Sequence, residues 1–155
     1  PASLTSTQMR KLEVLHLSYY TTCADRDITC NGQVTYGEWI DVVRFRDWLQ
    51  NDMQKAIYSL LVKNPKVPYT DRGIALVKSE MIASLKRGQQ NGGIAESEYN
   101  DDGDEIPGYV VSVPRSANIS DSQKKSRKLV DCKFRARLAG AIHAVEVKGT
   151  LAYSL

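Results

Sequence analysis

The sequence predicts an α+β domain in which a mixed β-sheet packs against two long antiparallel helices, with short helices beside them. Three observations carry that prediction. Trp39, Val42, Phe45, Leu49, Met53, Ile57 and Leu60 recur every three or four residues, the spacing of one face of a long helix. Ile74, Val77, Met81 and Leu85 repeat the spacing after a break that contains Pro65 and Pro68. On either side lie segments that read as strands: Tyr19 to Cys30, Tyr109 to Val113, and Lys133 to Tyr153.

Taken in order, Thr5, Ser6 and Thr7 are candidate N-caps of a short helix through Leu15. Two short strands follow, Tyr19–Ala24 and Asp27–Cys30. Asn31-Gly32 is expected to turn the second back against Gln33–Thr35, because that dipeptide readily takes positive φ. The first long helix starts at Glu38 and ends at Asn64-Pro65, a length of about 35 Å at 1.5 Å per residue. Pro68 keeps Val67 extended, Thr70 or Asp71 caps the second long helix, and Gly88, Gly92 and Gly93 end it. Residues 96–108 carry Glu96, Glu98, Asp101, Asp102, Asp104 and Glu105 with no basic residue and read as an exposed acidic loop. Tyr109–Val113 is a strand stopped by Pro114, and Ser120 or Asp121 caps a short basic helix through Leu129. In the closing strands Phe134, Ala136 and Leu138 alternate with Lys133, Arg135 and Arg137. Val145 and Val147 alternate with Glu146 and Lys148, and Gly140 marks the bend between the two runs.

The chain has 155 residues, room for one domain, and 42% apolar with 25% charged residues is a globular composition. No run approaches the roughly 18 apolar residues of a membrane span, and the first residues lack the order of a secretory signal. Three cysteines, Cys23, Cys30 and Cys132, cannot all pair within one chain, which suits a reducing compartment, and a Cys23–Cys30 bridge is disfavoured. Pro1 is preceded by no Met, so a processed product or a piece of a longer polypeptide is expected.

Candidate catalytic groups are scarce. His16 and His143 have no Cys, Ser or Asp partner at a recognisable spacing, so both are expected to be structural or exposed. The six residues between Cys23 and Cys30 are wider than a zinc pair, and neither a phosphate loop nor a nucleophile elbow is present. With Gly103 at the sixth position of a calcium loop, Tyr109 falls at the twelfth, where a bidentate Glu is required, so a solvated loop is the better reading. No enzyme activity, metal or cofactor is expected.

The net charge of +3 hides an uneven distribution. Between Asp121 and Arg137 there are seven basic residues, Lys124, Lys125, Arg127, Lys128, Lys133, Arg135 and Arg137, against Asp121 and Asp131. Nucleic acid, an acidic protein surface, or plain solvation of a helix face each accounts for them. No aromatic platform interleaves the charges beyond Phe134, whose alternation puts it on the core face. The strand-like tail from His143 onward either completes its own sheet or extends that of another subunit.

The succession YYTTCADRDITCNGQVTYGEWIDVVRFRDWL, a long helix, KNPKVPYTDRGIALVKSEM, GGIAE and FRARLAGAIHAVEVKG resembles the C-terminal region of contractile, myophage-type tail sheath proteins. GEWIDVVRFRDWL and KVPYTDRGIALV carry most of the likeness, through their order and spacing. The resemblance implies one domain over 1–155, the inner, tube-facing domain of a sheath subunit, either as a piece of a longer chain or as a reduced relative of it, with 96–108 as a variable insertion. It also implies a structural subunit that polymerises around a rigid tail tube and contracts to drive the tube through the host envelope. Implied partners are neighbouring sheath subunits, the tail tube protein, and baseplate and tail terminator proteins, with no small-molecule substrate and no membrane. The implied location is the virion tail, after assembly in the host bacterial cytoplasm. By position, the tube-attachment helix would be Ser120–Leu129, with Lys124, Lys125, Arg127 and Lys128 facing acidic groups. The strand exchanged between subunits would run through Val145, Val147, Leu151 and Tyr153. If the neighbour's strand is missing, a sheet edge is expected to stand open. The alternative is a nucleic-acid-binding module using the basic stretch 124–137.

Overall fold

In the computed structural model, which describes residues 4–148, two long helices form the body. The first, here α2, runs Ile40–Lys63 after a nine-residue helix α1, Ser6–Val14. Asp41 in its first turn and Lys63 in its last both suit the helix dipole. Asn64 ends α2 by turning extended, and its side-chain Nδ2 donates to the Leu60 carbonyl at 2.8 Å. The second long helix, α3, runs Asp71–Gln90, and Thr70 caps it by accepting from the Gly73 amide.

The helices lie antiparallel. Phe45, early in α2, meets Gly88 and Gly93 at the far end of α3, whereas Leu61 shares a recess with Gly73, Ile74 and Val77. From the last turn of α3, the Arg87 guanidinium pairs with the Asp52 carboxylate of α2 at 2.7 Å and also donates to the Ser84 hydroxyl. Ile74, Met81 and Leu85 are buried along α3, and Leu85 is enclosed completely. The core consists of Leu49, Leu85 and Ile94, with Phe45, Trp48, Met53, Tyr109, Val111 and Ala136 packed around it.

The strands form three two-stranded antiparallel pieces rather than one mixed sheet. The piece that covers the helices joins the strand Tyr109–Ser112 to the strand Lys133–Ala136, with Tyr109 opposite Ala136 and Ser112 opposite Lys133. Strands β1, Tyr19–Cys23, and β2, Arg26–Cys30, make a hairpin with α1, outside the helical body. Strands β3, Glu98–Tyr99, and β4, Glu105–Ile106, form a small exposed hairpin within the acidic segment. The two strands over the helices are therefore β5 and β6.

Three local expectations are corrected. The β1–β2 turn is Ala24-Asp25, both at positive φ (47° and 60°), which matches the right-handed twist of the two strands. Asn31 and Gly32 also take positive φ, but they steer the chain into α2, with Gln33 bridging Trp39 rather than extending the hairpin. The basic helix, α4, is only Asp121–Lys125. It starts on a reciprocal Ser120–Gln123 cap and ends early because Arg127 adopts φ 55°, which no right-handed helix accommodates. Finally, the terminal strand stops at Ala136. Leu138 makes one bridge to Ile94, and from Gly140 to Lys148 the chain takes no strand, since no described segment pairs with it. Val145 and Val147 lie in this non-strand stretch, while Leu151 and Tyr153 lie outside the described residues.

Candidate functional site

Among the described residues, strand β6 has β5 on one side only. The Arg137 amide donates to the Gly108 carbonyl at 2.8 Å, and the Arg137 carbonyl accepts from Ala95 at 2.9 Å, so Arg137 directs its backbone groups toward the covered side. Backbone groups of successive strand residues point in opposite directions, so Phe134 and Ala136 direct theirs to the open edge. The side chains of Phe134, Ala136 and Leu138 face α2 across an open apolar groove of about 650 Å³, whose other wall is Val42, Phe45, Leu49, Met53 and Ile57. This is the face that alternation assigns to the core, yet Phe134 and Leu138 stay exposed because no described residue covers them. The helical stripe is too wide for the single sheet that lies over it.

The chain leaves β6 as a tail whose apolar residues point into solvent. Ile142, Val145 and Val147 are 83%, 77% and 84% exposed. Burying side chains of that size contributes roughly 1.5–3 kcal/mol each, so a segment with this pattern gains from any apolar surface that receives it. His143 makes the tail's aromatic contact with the body: its ring lies edge-to-face with Trp39, centroids 4.5 Å apart.

The basic residues are at the other end of the molecule. Lys124 and Lys125 close α4, and Arg127 and Lys128 follow it in an irregular segment. Lys125, Arg127 and Lys128 are exposed, Lys124 is half-buried, and among the described residues none of the four forms an ion pair. The segment and the stretch that precedes α4 are fastened near the start of α3: the Tyr69 hydroxyl donates to the Lys128 carbonyl at 3.2 Å, and the Ser116 amide to Asp71 at 2.6 Å. Lys133 and Arg135 share the outer face of the β5–β6 sheet, opposite the groove, and Lys133 lies 3.8 Å from Asp131. Arg137 instead braces the acidic hairpin, donating to the Glu96 carbonyl and pairing with Glu98 at 3.0 Å.

The other singled-out residues are dispersed. His16 bonds Gln33 through Nδ1 at 2.9 Å, which joins the end of α1 to the loop before α2. Cys23 faces Arg26 and Cys30 faces Tyr19 at opposite ends of one hairpin, so the two thiols stand too far apart to bridge. Burial pushes the Cys132 thiol up, and Asp131 adds to it. Among the described residues no three His, Cys, Asp or Glu side chains gather as a metal site, and no helix is long and apolar enough to cross a membrane. Sequence reasoning missed the groove and the His143–Trp39 contact. The length of the α2 stripe, seven apolar residues spread over 39–60, was legible, but that only two short strands cover it was not.

An α+β body that leaves a strand edge and its apolar groove uncovered, and ends in an apolar tail, has the surfaces of an assembling structural domain. Residues 40–151 match the family described as E217 tail sheath protein gp31-like, C-terminal domain. With well over half of its length matched, the chain belongs to that family: it is the C-terminal region of a phage tail sheath, a structural component of the virion tail that assembles with other tail proteins. The match begins where α2 begins, so α1 and the β1–β2 hairpin precede it. A search of the curated proteins finds no match.

Proposed function

We propose that this domain links sheath subunits by strand exchange and holds the sheath on the tail tube, so that the sheath contracts without falling apart. The carrying observation is the open β6 edge above the apolar groove, together with an exposed apolar tail on the same chain. In this reading the tail segment through Val145, Val147, Leu151 and Tyr153 of one subunit lies along Phe134 and Ala136 of the next. Its backbone bonds the edge while alternate side chains enter the groove. Such joints keep neighbours connected while rigid bodies rotate and slide past each other.

Lys124, Lys125, Arg127 and Lys128 make the tube contact in the same reading, facing acidic groups. Exposed ion pairs contribute about 0–1 kcal/mol each, so a contact made of them releases subunit by subunit when the sheath expands. The proposal includes a piece of a longer sheath chain, the acidic hairpin as an insertion, baseplate and terminator proteins as end partners, and assembly in the host cytoplasm before incorporation into the virion. Family membership gives the nucleic-acid alternative no support.

Replacing Val145 and Val147 by Asp tests the exchange. Both side chains are exposed in the subunit, so the variant should fold with unchanged stability, yet fail to form sheath tubes by electron microscopy. Tubes of normal yield from that variant would sink the reading. Charge reversal at Lys125 and Lys128 should leave sheath–sheath tubes intact while loosening the sheath from the tube. Micromolar, salt-sensitive duplex binding lost in the same variant would instead favour nucleic acid.

A further inference from the structure

The tail's route after β6 carries information beyond the exchange itself. Ala139 donates to the Gly93 carbonyl at 3.2 Å, and then the chain passes Gly140, around which a Cβ would meet nothing within 4 Å. Three residues later His143 lies edge-to-face on Trp39, at 4.5 Å and an interplanar angle of 72°. Trp39 is held firmly. It is the residue before α2, its backbone bridges Gln33, and its carbonyl accepts from Val43 at 3.1 Å. The neighbours of His143 in the tail, Ile142, Val145 and Val147, are all exposed, and Lys148 pairs with Glu146 inside the tail. Among the described residues, this segment is thus held by an aromatic pair on a rigid post, at the start of the helix that forms the groove.

We propose that the His143–Trp39 contact is a latch that keeps the C-terminal arm on its own subunit until a neighbour's groove captures it. The inference rests on the strand-exchange reading above. An aromatic pair of this geometry shifts a two-state balance about twofold to tenfold, enough to slow premature association and weak enough for a strand-sized interface to override. Opening requires no backbone hydrogen bond of α2 or β6 to break, so the domain body is unchanged whether the arm is parked or donated.

The chain holds two tryptophans and two histidines, which makes the contact readable. In a Trp48→Phe background the emission of the unassembled full chain reports Trp39 alone. His143→Ala should change that emission and lower the concentration at which subunits associate, read by light scattering, about threefold to tenfold. His143→Phe, which keeps an aromatic edge, should return the association midpoint toward that of the parent. Should Trp48→Phe disturb the fold, the wild-type chain answers the first point: Trp39 ring currents displace the imidazole C–H resonances of His143, assigned by their loss in His143→Ala, and Trp39→Leu abolishes the displacement. Unchanged emission and undisplaced resonances overturn the latch whatever association does. Changed emission with an unmoved association midpoint also overturns it. If the Val145 and Val147 double Asp variant leaves the midpoint unmoved too, strand exchange has failed as well as the latch.

Discussion

Gly73, in the first turn of α3, sits so close to the Pro68 carbonyl that a Cβ there would overlap a backbone oxygen. Because that oxygen belongs to the turn joining the long helices, it cannot step aside as a side chain would. Gly73→Ala should therefore cost at least about 2 kcal/mol in urea denaturation, whereas Gly140→Ala, with open space around it, should stay within about 0.5 kcal/mol. The Asp52–Arg87 pair makes a second prediction at this scale. The Arg87 guanidinium hydrogen bond holds the Asp52 carboxyl below its usual range against opposing burial, with Ser84 assisting. Folded Asp52 thus binds fewer protons than unfolded Asp52, whose ordinary value is about 3.9. Its contribution is complete above that pH and is lost as pH drops through the lower folded value. The stability gap between the wild type and Asp52→Asn should be full at pH 6 and should narrow progressively below pH 4, measured by denaturation at each pH.

Elements differ in how far the sequence discloses them. The two long helices were legible because each has a local stop, Asn64-Pro65 for α2 and the Gly92-Gly93 region for α3, and a stripe whose period needs no distant partner. Capping by Thr5, Thr70 and Ser120 was equally local. The strands were less legible for a physical reason: alternation in the tail describes which face a residue would take once paired, not whether a pairing strand exists. The same limit concealed the groove, since Phe134 and Leu138 alternate as core residues do while their cover is missing. The length of α4 failed because a left-handed residue at Arg127 leaves no compositional mark. Among the four basic residues, chain order was visible but the anchoring of their segment to Tyr69 and Asp71 was not, because it depends on contacts more than forty residues away. At the level of β6, the Phe134 and Ala136 amides should exchange quickly with solvent in the free subunit and become protected in assembled sheath, in contrast to Arg135, which faces β5 in both states.

Across the whole molecule, stability is unevenly spread. The helical body and the β5–β6 sheet share one core, whereas α1 and the β1–β2 hairpin contribute no residue to it. His16 ties that outlying lobe to the loop before α2 through Gln33, while the Asn31 side chain, donating to the Leu17 carbonyl at 3.2 Å, holds the lobe together internally. Within it, the hydrogen bond to Glu13 pushes the Tyr19 phenol up to about 12, yet the pair stays on the surface. Hydrogen exchange should therefore find the β1–β2 amides opening far more readily than those of α2 and α3 around Leu49 and Leu85, under conditions where the body stays intact.

The uncovered groove and the apolar tail belong to the same chain but are different parts of it. Under the proposed exchange each copy is both a socket and a plug, and a socket cannot face its own kind. Such contacts are head-to-tail and have no reason to close as a symmetric pair. A growing array would then carry unlike ends, one row of empty sockets and one row of unused plugs, so that direction is inherited from the first subunit laid down.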